Sequence, residues 1–154
     1  MSQENVEYVW RWHAGISRAE PQNVGAVVSE FWDADADYYP VRKWPEARPC
    51  HGREAVSQFI SRSRDAFSRF ESNVRWLVAV DDCRVLGFGD LRWEGRGSGI
   101  SQAGTIYWSY WLRHGRLLRV EDHLTLPGAL DALGLEGETL EAVGLSEQDA
   151  HTDS

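Results

Sequence analysis

The sequence has few cysteines, no long apolar run and no cluster of basic side chains, and each absence excludes a class of protein. Its two cysteines, Cys50 and Cys83, lack the spacing of a metal or redox motif, so we expect free thiols in a reducing compartment. No stretch suits a signal peptide or a membrane span. The net charge of −8, with its basic residues dispersed, argues against nucleic acid or an anionic membrane as a partner. We therefore expect a cytoplasmic protein.

Motifs for cofactors and metals are also missing. The five histidines lack the spacing of zinc ligands. The glycine-rich segment 95–99 joins two expected strands, whereas a phosphate-binding loop joins a strand to a helix. No Ser-His-Asp or Cys-His arrangement is evident. The sequence thus predicts neither a cofactor nor a metal.

What the sequence does have is a core-forming composition rich in large rings. Its 154 residues are 42% hydrophobic, enough for one domain with a buried core. Eight tryptophans, five tyrosines and five phenylalanines make 12% of the chain aromatic. Such rings fill cores, pockets and interfaces alike, so their positions decide their meaning.

The first half of the chain alternates between helical and strand-like spacing. Apolar residues at helical spacing predict a helix over Glu4–Ser17 and a second, shorter one after Pro21. The period of two in Phe31–Val41 predicts a strand. A third, long helix is expected over Glu54–Phe70, with Phe59, Ile60, Phe67 and Phe70 buried.

The second half is dominated by strands joined through short turns. We predict strands at Asn73–Val80, Arg84–Glu94, Ile100–Leu112 and Arg116–Leu126. Sequential strands with short turns form an antiparallel meander, and helices grouped before a sheet indicate an α+β fold.

The tail carries two short helical patterns, Leu130–Leu135 and Leu140–Leu145. Each contains a glycine of the kind that ends helices. The polar residues 146–154 are expected to fray.

The order of these elements, with five local segments, resembles the SnoaL-like branch of the nuclear transport factor 2-like (NTF2-like, ketosteroid isomerase-like) superfamily. The segments are ENV at 4–6, FWDADADY at 31–38, HGREAV at 51–56, WLRHGRLLRVE at 111–121 and LDALGL at 130–135. The resemblance implies a cone of three N-terminal helices packed on a curved antiparallel sheet around a pocket. It covers a domain at residues 4–135, with a short helix and polar tail at 136–154.

Asp122 is the strongest candidate for chemistry. Alternation on the last strand places it on one face with Leu118, Val120 and Leu124, the set expected to face the core. SnoaL-like cyclases are similar here and use an acid at this point as a general acid/base. Burial among aromatic rings would raise its pKa and suit it to that task. Alternatively, Asp122 lies at the solvent-exposed end of the strand or pairs with an arginine.

A pocket lined by aromatic rings is expected around Asp122. Trp108 and Tyr110 share a face of the preceding strand, and His13, Tyr38 or His51 could polarise a ligand oxygen. The expected ligand contacts are Trp12, His51, Phe59, Trp93, Trp108 and Tyr110. A histidine in an apolar helical stripe, as at position 13, is more often a hydrogen-bonded core residue, and His51 more often braces its loop.

Two known chemistries of this superfamily lack clear support. Ketosteroid isomerases resemble the chain but carry a tyrosine and two acids where alignment places Trp12, Tyr39 and Trp108. Steroid isomerisation is therefore not expected. Epoxide hydrolases of this fold use an Asp-Arg-Asp set around water. Asp90 and Arg92 are near neighbours that could share a face, and their register with Asp122 is left open.

The sequence leaves two functions open. One is cofactor-free acid/base catalysis on a small hydrophobic molecule, of isomerase, cyclase, dehydratase or hydrolase type. The other is ligand binding or dimeric interaction without chemistry. Two converging ionisable groups in a closed pocket would favour the enzyme.

Tyr107 and Trp111 are expected on the outer sheet face, which predicts a homodimer through that face.

Overall fold

The computed structural model describes residues 2–41 and 47–135. In chain order its elements are α1 (Ser2–Arg18), a 3₁₀ turn (Pro21–Asn23), α2 (Val24–Phe31), β1 (Trp32–Tyr39), β2 (Cys50–His51), α3 (Arg53–Ala66), β3 (Phe67–Ala79), β4 (Arg84–Gly95), β5 (Ser101–Arg113), β6 (Arg116–His123) and α4 (Leu126–Ala132). The predicted order of elements is confirmed, except that the two-residue strand β2 was not predicted. The second tail helix expected at Leu140–Leu145 lies outside the described residues. No helix in the described ranges has the length and apolar character to cross a membrane.

One six-stranded sheet has the strand order β2-β1-β6-β5-β4-β3. The meander from β3 to β6 is antiparallel, as predicted. The expectation of a wholly antiparallel sheet needs one correction, because β1 pairs parallel with β6, with Tyr38 opposite Val120. The period of two that identified β1 shows which side chains share a face but carries no information about the strand's partner.

The third helix is shorter than its apolar spacing predicted. It begins after Gly52, whose φ of 89° suits glycine, and it ends at Ala66. Phe67 and Phe70 belong to β3, opposite Gly95 and Trp93 of β4. Phe70 is 41% exposed, so the expectation that it is buried was wrong. Ladder hydrogen bonds to a long partner strand outweigh a helical spacing that continues for only one more turn.

The main core lies between the helices and the inner face of the sheet. It joins apolar residues of α1, α2 and α3 to those of the strands, with Val9, Val28, Val56 and Tyr110 fully buried. Phe59 is buried, as predicted, while Ile60 is half-buried at the edge of this core. This face therefore holds the helices over the strands that carry the candidate residues.

A second apolar cluster covers part of the outer face of the sheet. Helix α4 packs there, with Leu130 and Leu133 against Trp76 and Leu86. Thr125 caps the helix by accepting a hydrogen bond from the backbone N–H of Gly128. The chain leaves α4 through Gly134, at φ 74°.

Tyr107 and Trp111 lie on this outer face, as expected, but they are not fully exposed to solvent. Both are half-buried and pack against the α4 cluster. Less apolar surface is therefore exposed here than the alternation of β5 alone suggested. The homodimer stays a prediction.

Candidate functional site

A cavity of about 940 Å³ lies between the helices and the inner face of the sheet. Its closed end is lined by buried or half-buried side chains, chiefly Trp12, His13, Trp32, Tyr38, Phe59, Trp108, Tyr110 and Asp122. Exposed residues form its mouth, among them Arg62, Asp65, Phe70, Glu71 and Arg96. A volume of this size accommodates a drug-sized organic molecule.

Asp122 of β6 faces this cavity by regular alternation from Val120, and a bulge lies earlier in the same strand. Trp111 pairs with Arg119 but Leu112 pairs with Leu117, which leaves Leu118 as the extra residue. Leu117 and Val120 are consequently buried with Asp122, which is 9% exposed. The inward position of Asp122 was predicted correctly.

Two of the neighbours expected for Asp122 were wrong. Leu118 is only half-buried because the bulge replaces it in the core by Leu117. Leu124 follows the end of β6 and is 44% exposed. A bulge changes the alternation of a strand at one residue, so a strict period of two fails beyond it.

Asp122 accepts a hydrogen bond at Oδ2 from the hydroxyl of Tyr38. Its other oxygen, Oδ1, is buried and has no hydrogen-bond partner among the described residues. Burial raises the pKa of Asp122 to about 7, and the Tyr38 hydrogen bond offsets part of that rise. Burial also raises the pKa of Tyr38 well above its usual value, so Tyr38 remains the proton donor of the pair. A carboxyl group with this pKa exchanges protons readily near neutrality.

A second polar pair lies on the same cavity wall. Nε2 of His13 is 2.5 Å from the hydroxyl of Tyr110. Burial lowers the pKa of His13 to about 3, so its imidazole is neutral. The pKa of Tyr110 is raised well above its usual value by burial and by the nearby charge of Asp122. Four ionisable groups on three strands and one helix therefore converge at the closed end.

Trp108 forms the wall between the two pairs. It lies opposite Asp122 in the β5–β6 register, and its ring centre is 4.7 Å from that of His13. Its ring also covers Gly89 of β4, where a Cβ atom would lie 2.9 Å from the ring and 2.5 Å from the carbonyl oxygen of Asn73. Glycine at position 89 is therefore required for Trp108 to lie flat against the sheet.

Phe59 and Trp12 complete the wall on the helical side, as predicted. The ring of Phe59 meets that of Tyr38 edge-on, with centroids 5.7 Å apart. Trp12 contacts Trp32 in the same way at 5.4 Å. Trp32, which the sequence analysis did not select, is 1% exposed and lines the cavity. It stands in the same strand pattern that placed Tyr38 inward, and that pattern could have identified it.

His51 and Trp93 do not lie in the cavity lining. The His51 side chain is 70% exposed, and its Nδ1 contacts Oδ1 of Asp37 at 2.9 Å. This bracing role is the alternative that its loop position suggested. Trp93 is half-buried and packs against the main core beyond the lining residue Leu91.

The alignment of Tyr39 with a catalytic position also needs correction. Tyr39 lies away from the cavity, where the Arg119 guanidinium stands over its ring at 4.5 Å. Its neighbour Tyr38 faces Asp122. Successive side chains of a strand point to opposite faces, so a shift of one residue exchanges the two tyrosines.

No Asp-Arg-Asp set is assembled in the cavity from the described residues. Asp90 pairs with Nε of Arg75 at 2.5 Å and is not part of the lining. Arg92 is exposed and is not part of the lining either. The same ranges contain no group of three or more His, Cys, Asp or Glu placed to hold a metal ion.

Comparisons with known proteins find likeness in structure and none in sequence. No protein-family model and no curated protein matches the chain. Bal32a, from a soil-derived mobile gene cassette, superposes with a TM-score of 0.69 at 20% identity over 85% of this chain and 96% of its own. An NTF2-like protein of Burkholderia pseudomallei K96243 superposes with a TM-score of 0.68 at 15% identity, covering 88% and 98%.

A protein of Jannaschia sp. CCS1, assigned as a SnoaL-like polyketide cyclase, superposes with a TM-score of 0.64 at 17% identity, covering 90% and 95%. These identities are low, so the likeness concerns the fold. The chain shares the α+β fold of these structures, which is the NTF2-like fold that the resemblance of its sequence implied.

Proposed function

We propose that the chain binds a small hydrophobic molecule in its cavity and that Asp122 exchanges a proton with it, without a cofactor. The observation that carries the proposal is the Asp122–Tyr38 pair at the closed end of an aromatic-lined cavity. The reaction would be of isomerase, cyclase, dehydratase or hydrolase type, the chemistries that a single proton shuttle serves.

The roles of the residues follow from their protonation. Ionised Asp122 would accept a proton from the ligand, and protonated Asp122 would return it to a second position. Tyr38 would stabilise the ionised form through its hydrogen bond to Oδ2. In the tautomer with hydrogen on Nε2, His13 donates to the oxygen of Tyr110 and leaves the Tyr110 hydroxyl free to donate to a ligand oxygen.

Binding without chemistry is the alternative, and it requires the same cavity. The polar convergence at the closed end favours the enzyme, because a cavity that only binds an apolar ligand gains nothing from a desolvated carboxyl group. His51 and Trp93, outside the lining, have no part in this proposal.

Narrowing the mouth should block binding. Ile60 lines the cavity and is half-buried, so Ile60→Trp would place an indole in the ligand's path. We expect this change to weaken binding of the neutral hydrophobic dye N-phenyl-1-naphthylamine by about 10-fold or more, measured by fluorescence titration.

Ile100→Trp is the matched control. Ile100 is 60% exposed and not part of the lining, so this variant adds the same ring without touching the cavity. Dye binding that is equally strong in both variants would contradict the cavity as the ligand site.

A further inference from the structure

Among the residues that the structure describes, the closed end of the cavity carries one acid and no opposing cation. Its ionisable groups are His13 from α1, Tyr38 from β1, Tyr110 from β5 and Asp122 from β6. His13 is neutral, because burial lowers its pKa to about 3, and both tyrosines keep their protons. Ionised Asp122 is therefore the single net charge among the described residues there.

The charged groups of α3 and β3 reach the cavity only near its mouth. Arg62 and Glu71 are exposed there. Arg64 donates to the carbonyl oxygens of Ile16 and Ala19 at the end of α1. Arg96 of the β4–β5 hairpin donates to the carbonyl oxygen of Asp65 at 2.8 Å. Desolvation is the main influence on the pKa of Asp122, and the hydrogen bond from Tyr38 opposes it.

Ionised Asp122 thus lacks a compensating charge. One hydrogen bond satisfies Oδ2, and Oδ1 has no partner within the described part of the chain. A buried, unpaired carboxylate is costly, and a cation bound nearby would remove most of that cost.

The walls around Asp122 suit a cation that is itself poorly hydrated. Six aromatic rings line the closed end: Trp12, Trp32, Tyr38, Phe59, Trp108 and Tyr110. The faces of Trp and Tyr rings attract ammonium groups, most strongly where water is excluded. The chain's net charge of −8 also favours the approach of a cation.

We infer that the ligand of this cavity is a hydrophobic ammonium ion, whose charged nitrogen lies within the six rings beside Asp122. The inference rests on the proposed function, since it names the ligand class for the same site. A neutral ligand that accepts a hydrogen bond from the carboxyl group would instead bind best while Asp122 is protonated. The two ligand classes therefore predict opposite responses of affinity to pH.

The test compares a permanent cation with its neutral carbon isostere. Benzyltrimethylammonium carries a charge that does not titrate, and neopentylbenzene has the same shape without charge. Because Asp122 has a pKa of about 7, its ionised fraction rises about 30-fold between about pH 5.5 and about pH 8.5. We expect the cation's affinity, measured by quenching of tryptophan fluorescence, to rise by up to that factor, and the isostere's by less than about twofold.

Asp122→Asn removes the charge of the carboxylate and keeps the shape of the cavity. In this variant the cation should bind at least about 10-fold more weakly at about pH 8.5, without pH dependence, while the isostere binds as before. Glu121→Gln, on the opposite face of β6, should leave both affinities unchanged.

Three results would overturn the inference. They are no cation binding at about pH 8.5, affinity that does not rise with pH, and equal affinity in Asp122→Asn. If the isostere binds under those conditions, the ligand class is wrong and the proposed cavity function stands. If neither probe nor the dye binds, the proposed function fails as well.

Discussion

Asp122→Asn should lower turnover by about 10²-fold or more while leaving the affinity for a neutral hydrophobic ligand largely intact. Asparagine keeps the shape of the side chain and still accepts the Tyr38 hydrogen bond, but it cannot take or return a proton. The loss should therefore appear in kcat. In the native protein, kcat/KM should rise with pH through about 7 for a step in which Asp122 acts as the base.

This prediction can be measured without knowing the natural substrate. Aromatic ketones incubated with the protein in D₂O should gain deuterium at carbons whose protons Asp122 removes, and NMR detects that exchange. Glu121→Gln is the control, because Glu121 pairs with Arg119 on the opposite face of the same strand. Exchange that is unaffected by Asp122→Asn would contradict a catalytic role for Asp122.

Single substitutions of His13 and Asp122 should reveal opposite effects of pH on the free energy of unfolding. Folding raises the pKa of Asp122 from 3.8 to about 7, so its contribution to the free energy of unfolding falls as pH rises through that window. Folding lowers the pKa of His13 from 6.5 to about 3, so its contribution falls as pH drops. Between about pH 4 and about pH 6.5 the two slopes, each near 1.4 kcal/mol per pH unit, nearly cancel in the native protein.

Each variant lacks one of these two groups, so its free energy of unfolding should vary with pH as the other group dictates. Relative to the native protein, Asp122→Asn should become more stable by about 3 kcal/mol between about pH 4.5 and about pH 8. His13→Gln should show the opposite trend, gaining a similar amount between about pH 7.5 and about pH 4.5. Urea unfolding followed by tryptophan fluorescence measures both differences. Differences that stay constant with pH would mean that these groups are not buried as the structure places them.

On the strands, the site residues that could be predicted from the sequence were those that follow a regular alternation. Trp108 and Tyr110 share a face because no irregularity separates them on β5, and Asp122 follows Val120 by two residues. Tyr38 was a candidate beside Tyr39, and the alternation of β1 brings only one of these two to Asp122. These side chains needed only the local geometry of a strand and an apolar face to orient it.

The errors arose where a non-local contact changes the local pattern. The bulge at Leu118 depends on how β6 pairs with β5, and the parallel pairing of β1 with β6 joins segments about 80 residues apart. The end of α3 at Ala66 depends on the length of β4, which offers partners to Phe67 and Phe70. A single sequence does not contain these registers in any local signal.

Polar pairing at the site was harder to predict than position. The bonds Tyr38–Asp122 and His13–Tyr110 join residues 84 and 97 positions apart. His51 lies next to a conspicuous helix start but faces Asp37 outside the cavity. Likewise, α4 covers Tyr107 and Trp111 only because the chain turns back after β6.

Titration of the Asp122 carboxyl group tests most directly the claim that it is a buried proton shuttle. The carboxyl carbon of Asp122 can be followed by ¹³C NMR across pH, with its signal assigned through Asp122→Asn. We predict a midpoint at a pKa of about 7. A midpoint below about pH 5, the usual range of an exposed aspartate, would contradict it.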